Sequence, residues 1–348
     1  MVIRTTDEIA GLHASEALRS DGVRRTGLID GHGRRINHLR LSVTSRCDLK
    51  CAYCRPDLQS QEDRSPFQLN DTQRTQFVRF LHDRFGLAQV RITGGEPLVY
   101  PHLEGLVASI RRAVPELRIA MTSNARLLPR HAAALKRAGL DRVNISMDSL
   151  RPDRYREITG GELEQVFAGY RAGQKAGFPP PKINVVALKG FNDTEFADIA
   201  EWGLARRCEV RFLEAMPIGP VADFNRRAFM STAEVQTRLA DRFDLTPLEA
   251  EPGSTARLLR ATSVTCSGVI GLISPVSEPF CGSCRRIRVT ADARVFPCLL
   301  DSRSTDLSVC WEGDLFNTVH AEQLILEAVS AKAAAGTFQS TPMISIGG

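Results

Sequence analysis

The sequence predicts an α/β chain in which six strand-and-helix units come first and a smaller α+β region follows. Three observations carry that prediction. Short apolar runs alternate with longer segments of helical periodicity across most of the first 245 residues. Polar and glycine-containing motifs follow the runs directly, where parallel α/β sheets collect their functional groups. Near residue 245 the alternation stops at Pro247, Pro252 and Gly253, which read as a linker, and short β-type runs then surround a cysteine array.

Residues 1–35 are polar, arginine-rich and punctuated by Gly27, Gly31 and Gly33. They read as an extension, with a short helix expected over Glu8 to Leu18. The six expected strands are Leu39 to Val43, Val90 to Thr93, Ile119 to Thr122, Val143 to Met147, Ile183 to Leu188 and Val210 to Ala215. Amphipathic segments separate them: Asp71 to Phe85, with Asn70 or Asp71 as cap, Leu103 to Ala113, Arg130 to Ala138, Leu163 to Ala176 and Thr194 to Arg207. Strand, helix, strand in series implies parallel pairing through right-handed crossovers. Spacing alone leaves an incomplete barrel and an open doubly wound sheet both standing. A helix over Ala233 to Phe243 precedes the linker, and runs at Val269 to Ile273, Ile287 to Thr290 and Arg294 to Phe296 follow it. The expected domains are an extension at 1–35, a barrel at 36–245 and a C-terminal region at 246–348.

With 348 residues, 43% of them hydrophobic, the chain can bury one large core or two moderate ones. A net charge of +5 suits an anionic ligand and falls short of a nucleic-acid-binding signature. The first thirty residues lack the apolar core of a signal peptide, and no uncharged run approaches the roughly 18 residues of a membrane span. The expectation is a soluble, cytoplasmic protein.

Six of the nine cysteines fall in two tight arrays, which argues for metal chemistry in a reducing compartment rather than a disulfide scaffold. Cys47, Cys51 and Cys54 form a C-x3-C-x2-C array directly after the first strand. Three thiolates so spaced can hold three irons of a cubane and leave the fourth iron without a protein ligand. Cys281, Cys284 and, thirteen intervening residues later, Cys298 make a second set of three. Structural zinc usually takes four protein ligands, so a zinc ribbon would need a further partner such as Cys310. Gly94-Gly95-Glu96-Pro97 ends the second strand, where glycines let backbones approach closely and the proline fixes the exit. Arg286-Ile287-Arg288 puts two guanidiniums on one face of a strand.

The first array, with Tyr53 before its third cysteine, resembles the cluster motif of the radical S-adenosylmethionine (SAM) enzymes. That resemblance implies the incomplete, laterally open (β/α)6 radical SAM barrel. Arg40-Leu41-Ser42-Val43-Thr44, Arg91 through Pro97, the Cys281, Cys284 and Cys298 array and the terminal Gly347-Gly348 are together similar to the GTP 3',8-cyclases of molybdenum-cofactor biosynthesis. The likeness runs from about residue 33 to 300, with the final diglycine. It implies two 4Fe-4S clusters, one on each array, with SAM at Tyr53, Gly95, Ser146 and Met216. It implies GTP held by Arg40, Arg91, Thr122, Lys182, Arg286, Ile287 and Arg288, and Arg211 is added from its place on the sixth strand. In such a reaction the adenosyl radical from SAM takes the 3' hydrogen of GTP, the carbon radical adds to C8, and reduction completes the product. The flexible Gly347 and Gly348 would reach into the barrel. An external electron donor and a downstream cyclic pyranopterin monophosphate synthase are the implied partners, and a homodimer is compatible. Two departures stand out: Arg55 replaces the common Met after the third cysteine, and Ala125 replaces the common Gly after Asn124. The competing readings are a twin-cluster peptide maturase and a zinc-stabilised nucleic-acid-binding module.

Overall fold

The computed structural model describes residues 16–18, 24–54, 65–251, 253–336 and 338. The first described residues form a hairpin of β1 (Glu16–Leu18) and β2 (Arg24–Thr26). The helix expected over Glu8 to Leu18 is thus corrected at its end: Glu16–Leu18 pair their backbone groups across to Arg24–Thr26 instead of within a helical turn. The remainder of that segment lies outside the described residues.

Six parallel strands follow in chain order, β3 (His38–Ser42), β4 (Gln89–Thr93), β5 (Arg118–Ser123), β6 (Arg142–Ser146), β7 (Lys182–Ala187) and β8 (Glu209–Glu214). The intervening helices are α1 (Asp71–Phe85), α2 (Leu103–Ala113), α3 (Leu128–Ala138), α4 (Pro152–Thr159), α5 (Leu163–Lys175) and α6 (Phe196–Leu204). α1 begins at a capping box in which the Asn70 side chain accepts from Gln73 N–H and Gln73 accepts from Asn70 N–H. It ends at Gly86, whose φ of 72° closes the last turn.

Alternation along each strand divides the two faces. Leu39, Leu41, Val90, Ile92, Val143, Ile145, Ile183, Val185, Val210 and Phe212 are buried in one core. Their neighbours in the period of two, including Arg40, Arg91, Thr122, Asn144, Lys182 and Arg211, line a cavity. The barrel is therefore apolar outside, against the helices, and polar inside.

The chain after β8 extends this sheet at both edges. α7 (Ala222–Arg227) and α8 (Thr232–Ala240) lead into the meander β9 (Asp244–Leu248), β10 (Arg257–Thr262) and β11 (Ser267–Ile273), and β11 lies parallel to β8. Pro247, read as part of a linker, lies in strand β9. At the opposite edge β12 (Arg286–Val289) lies parallel to β3, followed by β13 (Arg294–Phe296) and β14 (Thr305–Asp306). The sheet has twelve strands, and the expected 246–348 region contributes to both of its ends. A small hairpin, β15 (Trp311–Glu312) and β16 (Leu315–Phe316), and α9 (Thr318–Ser330) complete the described elements. Leu28 and Ile36 are buried against Leu81, Phe85 and Ile287, so the end of the expected extension is part of the core. Among the described residues no helix is long and apolar enough to cross a membrane.

Candidate active site

Both cysteine arrays open on one cavity of about 930 Å³, large for a ligand pocket. It is lined by strand residues of the barrel, the loop after β3 and the segments around β12. All six array cysteines line it, partly buried, and all are free thiols.

The first array sits on a loop held by backbone and side-chain bonds from four directions. Gly95 N–H donates to Thr44 O at 2.8 Å and Glu96 N–H to Arg46 O at 2.9 Å, continuing the β3–β4 pairing past the strands. A Cβ on Gly95 would lie 2.8 Å from Ser45 O and closer still to Arg46 O. The glycine thus admits the chain's own cysteine loop, a closer neighbour than the ligand approach the sequence suggested. Asn124 Nδ2 donates to Asp48 Oδ1 at 2.7 Å, and Arg126 Nη1 to the Asp48 carbonyl at 2.7 Å. Lys50 and Ala52 N–H groups donate to Thr159 O and Ile158 O at the end of α4. On the far side Asn225 Nδ2 spans the carbonyls of Tyr53, at 3.0 Å, and Met216, at 2.7 Å.

The carboxylates that order this loop are themselves buried. Glu96 accepts from Leu98 N–H, Ser123 Oγ and Asn124 N–H at 3.0, 2.8 and 2.8 Å. Burial nonetheless pushes its carboxyl up to about 7. Burial likewise raises the Cys47 thiol to about 12, with Glu96 and Asp48 adding to the effect, and pushes the Cys51 thiol well up too. These thiols ionise readily only when a metal supplies positive charge, and its binding releases their protons.

The second array has the opposite electrostatic character. Cys281 and Cys284 bracket a single 3-10 turn, and Cys298 follows β13. Burial alone would raise the Cys284 thiol, but Arg286 and Lys332 outweigh it and bring it down to about 7. Cys310 is buried in the core beside Trp311 and is not part of the cavity lining, which removes it as a fourth ligand.

The cavity wall is strongly cationic. Arg40, Arg91, Lys182, Arg211, Arg286 and Arg288 all line it, with Arg91 Nη1 3.4 Å from Thr122 Oγ1. Burial first, and crowding by neighbouring arginines second, lower Arg91 to about 10 and press Arg40 down as well. Burial and Arg286 lower Arg288 to about 10 against the opposing Cys298 and Cys284. One carboxylate moderates the field: Glu209 meets Lys182 at 2.7 Å and Arg211 at 2.5 Å. A polyanion entering here would relieve mutual repulsion while its own charge is neutralised.

Most of the sequence-predicted residues therefore line one chamber, Tyr53, Gly95, Ser146 and Met216 together with Thr122 and the cationic set. Ile287 is the exception. Its side chain is 1% exposed and packs with Leu28, Ile36 and Leu81, so the expected substrate contact cannot be made by that side chain. The reason is the strand period: flanking residues that face the cavity turn the middle one into the core. Gly347, Gly348 and Arg55 lie outside the described residues. Ala125, the other departure, takes φ of 63°, the left-handed region that favours glycine.

Sequence reasoning left out His38, Arg118, Arg142 and Lys332, all on the cavity wall, and Glu209, which pairs with Lys182 and Arg211 there. His38 was recoverable, being two residues before Arg40 on the same strand face. Burial, then Arg286, Arg118, Arg285 and Arg40, hold it down to about 4, so it is a neutral imidazole among cations. Lys332 carried no local signal.

The donor set fits two iron–sulfur centres. Each array offers three free thiols to a shared interior, the number that leaves one iron of a cubane without a cysteine ligand. Among the described residues no three Cys, His, Asp or Glu side chains converge on one point as a single metal ion needs, whereas a cubane takes thiolates at separate corners.

Comparison with known proteins gives independent findings. Residues 41–203 match the model of the radical SAM superfamily, and residues 208–338 match the model described as Molybdenum Cofactor Synthesis C. A GTP 3',8-cyclase of Alkaliphilus metalliredigens is 40% identical over 279 residues, covering 80% of this chain and 85% of that protein. One from Streptomyces coelicolor is 36% identical over 328 residues, covering 92% of this chain and 96% of its own length. Among solved structures, Streptococcus suis SuiB bound to the precursor peptide SuiA is 14% identical with a TM-score of 0.59. That alignment covers 79% of this chain and 63% of SuiB, and at such identity the likeness is one of fold.

Proposed function

The chain belongs to the GTP 3',8-cyclase family of radical SAM enzymes, and from that membership we propose that it converts GTP to (8S)-3',8-cyclo-7,8-dihydroguanosine 5'-triphosphate, an early step of molybdenum-cofactor biosynthesis. The observation that carries this reading is the shared chamber, lined by both three-thiol arrays and by nine cationic side chains among the described residues.

Cys47, Cys51 and Cys54 hold one 4Fe-4S cluster and Cys281, Cys284 and Cys298 the other. When bound, the first cluster and SAM supply an electron and the adenosyl radical that abstracts the 3' hydrogen of GTP. Everything else is positioning by this chain, which needs no side-chain nucleophile. Tyr53, Gly95, Ser146 and Met216 seat SAM, and the network through Glu96, Asn124 and Asp148 fixes the loop that carries Tyr53. Arg40, Arg91, Thr122, Lys182, Arg211, Arg286 and Arg288 hold the triphosphate and orient the ribose and base. The chamber walls keep water from the reactive carbon. Gly347 and Gly348 act as a tail that enters the chamber, and a chain truncated before Gly347 loses cyclisation.

An external one-electron donor feeds the cytoplasmic enzyme, which works as a homodimer and passes its product to a cyclic pyranopterin monophosphate synthase. The test is anaerobic turnover with SAM, reductant and GTP. The expected result is 5'-deoxyadenosine together with a cyclised guanosine triphosphate, from a preparation carrying about eight irons per chain for two cubanes. Absence of both products overturns the reading, and zinc without iron would favour the nucleic-acid-binding alternative.

A further inference from the structure

We propose that Lys332, backed by the Asp30–Arg34 pair, is a positioning residue of the C-terminal cysteine array: it joins the array's two segments and supplies the buried positive charge that an anionic cluster there requires. The proposal rests on the preceding reading that Cys281, Cys284 and Cys298 hold an iron–sulfur cluster.

Lys332 is only 3% exposed, yet its side chain lines the cavity. Its Nζ donates to the Arg286 carbonyl at 2.9 Å and to the Pro297 carbonyl. Arg286 lies two residues after Cys284, and Pro297 immediately precedes Cys298. One ammonium therefore bridges the only two segments that bring thiols to this array. It has no carboxylate at ion-pair distance among the described residues. Asp301, which feels its charge, is engaged by Arg303 at 2.8 Å.

A buried cation without a counter-ion is costly unless the site supplies negative charge. Three thiolates around an iron–sulfur core supply it, and more so after reduction. Among the described residues the charged side chains acting most strongly on Cys47 and Cys51 are carboxylates, Glu96, Asp48 and Asp148, and the nearby Arg126 is paired with Asp48. The asymmetry assigns Lys332 to the second centre alone.

A second cation holds the outer side. Arg34, 8% exposed, donates from Nε to Asp30 Oδ2 at 2.6 Å. Its Nη1 donates to the Cys281 carbonyl at 2.8 Å, and its Nη2 to the Ala333 carbonyl at 2.7 Å. Ala333 follows Lys332 directly, so Arg34 locks the lysine's own backbone to the first cysteine of the array. All three cysteines are thereby tied to the turn after α9.

A charge held this close to a cluster favours its reduced, more negative state and so raises its reduction potential. The test uses the full chain reconstituted anaerobically, as Lys332→Met and Lys332→Arg. Each is also made with Cys47, Cys51 and Cys54 replaced by Ala, so that the remaining paramagnetic signal comes from the second array. Midpoint potentials are read by redox titration followed by electron paramagnetic resonance, and iron is counted in both forms.

Lys332→Met is expected to shift the second cluster to a more negative midpoint, with the first unmoved, and Lys332→Arg to return it toward the unsubstituted value. Selective loss of the second cluster in Lys332→Met, from about eight irons to about four, with retention in Lys332→Arg, equally supports the bridging role. An unchanged midpoint and full iron in Lys332→Met overturn the proposal, as does equal iron loss from both arrays. If the unsubstituted second array takes up no iron, the parent reading has failed instead.

Discussion

The Tyr53 hydroxyl donates to Asp148 Oδ2 at 2.8 Å while Asp148 Oδ1 accepts from Val186 N–H at 2.8 Å, so one carboxylate joins the first cysteine loop to the ends of β6 and β7. Burial raises Asp148 to about 6, against the pull of these two bonds. The native state therefore keeps this proton longer than the unfolded chain between roughly pH 4 and 6. Its contribution to stability is present below that window and is lost as pH rises through it. Asp148→Asn is expected to flatten this part of the profile, read from urea midpoints of the iron-free chain at several pH values. A profile that keeps its slope after substitution would sink the assignment.

Arg286 and Arg288 predict a different readout. Hydrogen bonds to charged groups contribute about 1.5–3 kcal/mol, so either Arg→Ala change should raise KM for GTP roughly 10- to 100-fold. SAM affinity should hold, because Tyr53, Gly95 and Met216 lie on other segments of the wall. Calorimetric titration with each ligand separates the two, and an equal loss of both would place these arginines in the scaffold.

What was legible in the sequence is what local periodicity encodes. The apolar runs located all six parallel strands, and α1 and α2 have the bounds their amphipathic stripes gave. The pairing of Ile270 with Val210 and of Arg286 with His38 joins residues far apart in the chain, and no periodic pattern announces such contacts. The site follows the same division. Cysteine spacing is a strong local signal. Lys332 and Arg34 are ordinary cations whose default place is the surface, and only the fold reveals that they are buried against the second array. Gly95 was read for close approach to a ligand, and the fold adds a neighbour that no local pattern announces, the backbone of Ser45 and Arg46.

The hairpin after the second array docks through aromatic rings. Trp311 stacks on Phe316 at 4.6 Å between centroids, and Phe77 of α1 meets both at 6.2 and 6.4 Å. Phe77 is fully buried, so Phe77→Ala should cost about 3–5 kcal/mol. Combined with Trp311→Ala, the double change should fall short of additivity by about 0.5–1.5 kcal/mol, the coupling expected for an aromatic pair. Denaturant melts of the four chains in that cycle measure it.

Gly95→Ala probes how closely the first array depends on the motif two strands make together. The added methyl would press on the backbone of Ser45 and Arg46, which cannot swing aside as a flexible side chain could. Relief requires the loop to move away from β4, and that breaks the bonds from Gly95 N–H to Thr44 O and from Glu96 N–H to Arg46 O. Cys47 sits immediately after Arg46, so its thiol moves with the loop. The second array hangs from β12, β13 and the turn after α9 and should be spared. Iron should then drop from about eight to about four per chain, with the loss confined to the Cys47, Cys51 and Cys54 centre. A preparation that keeps both centres would mean the loop tolerates displacement, and the glycine would have to be explained by the ligand it faces.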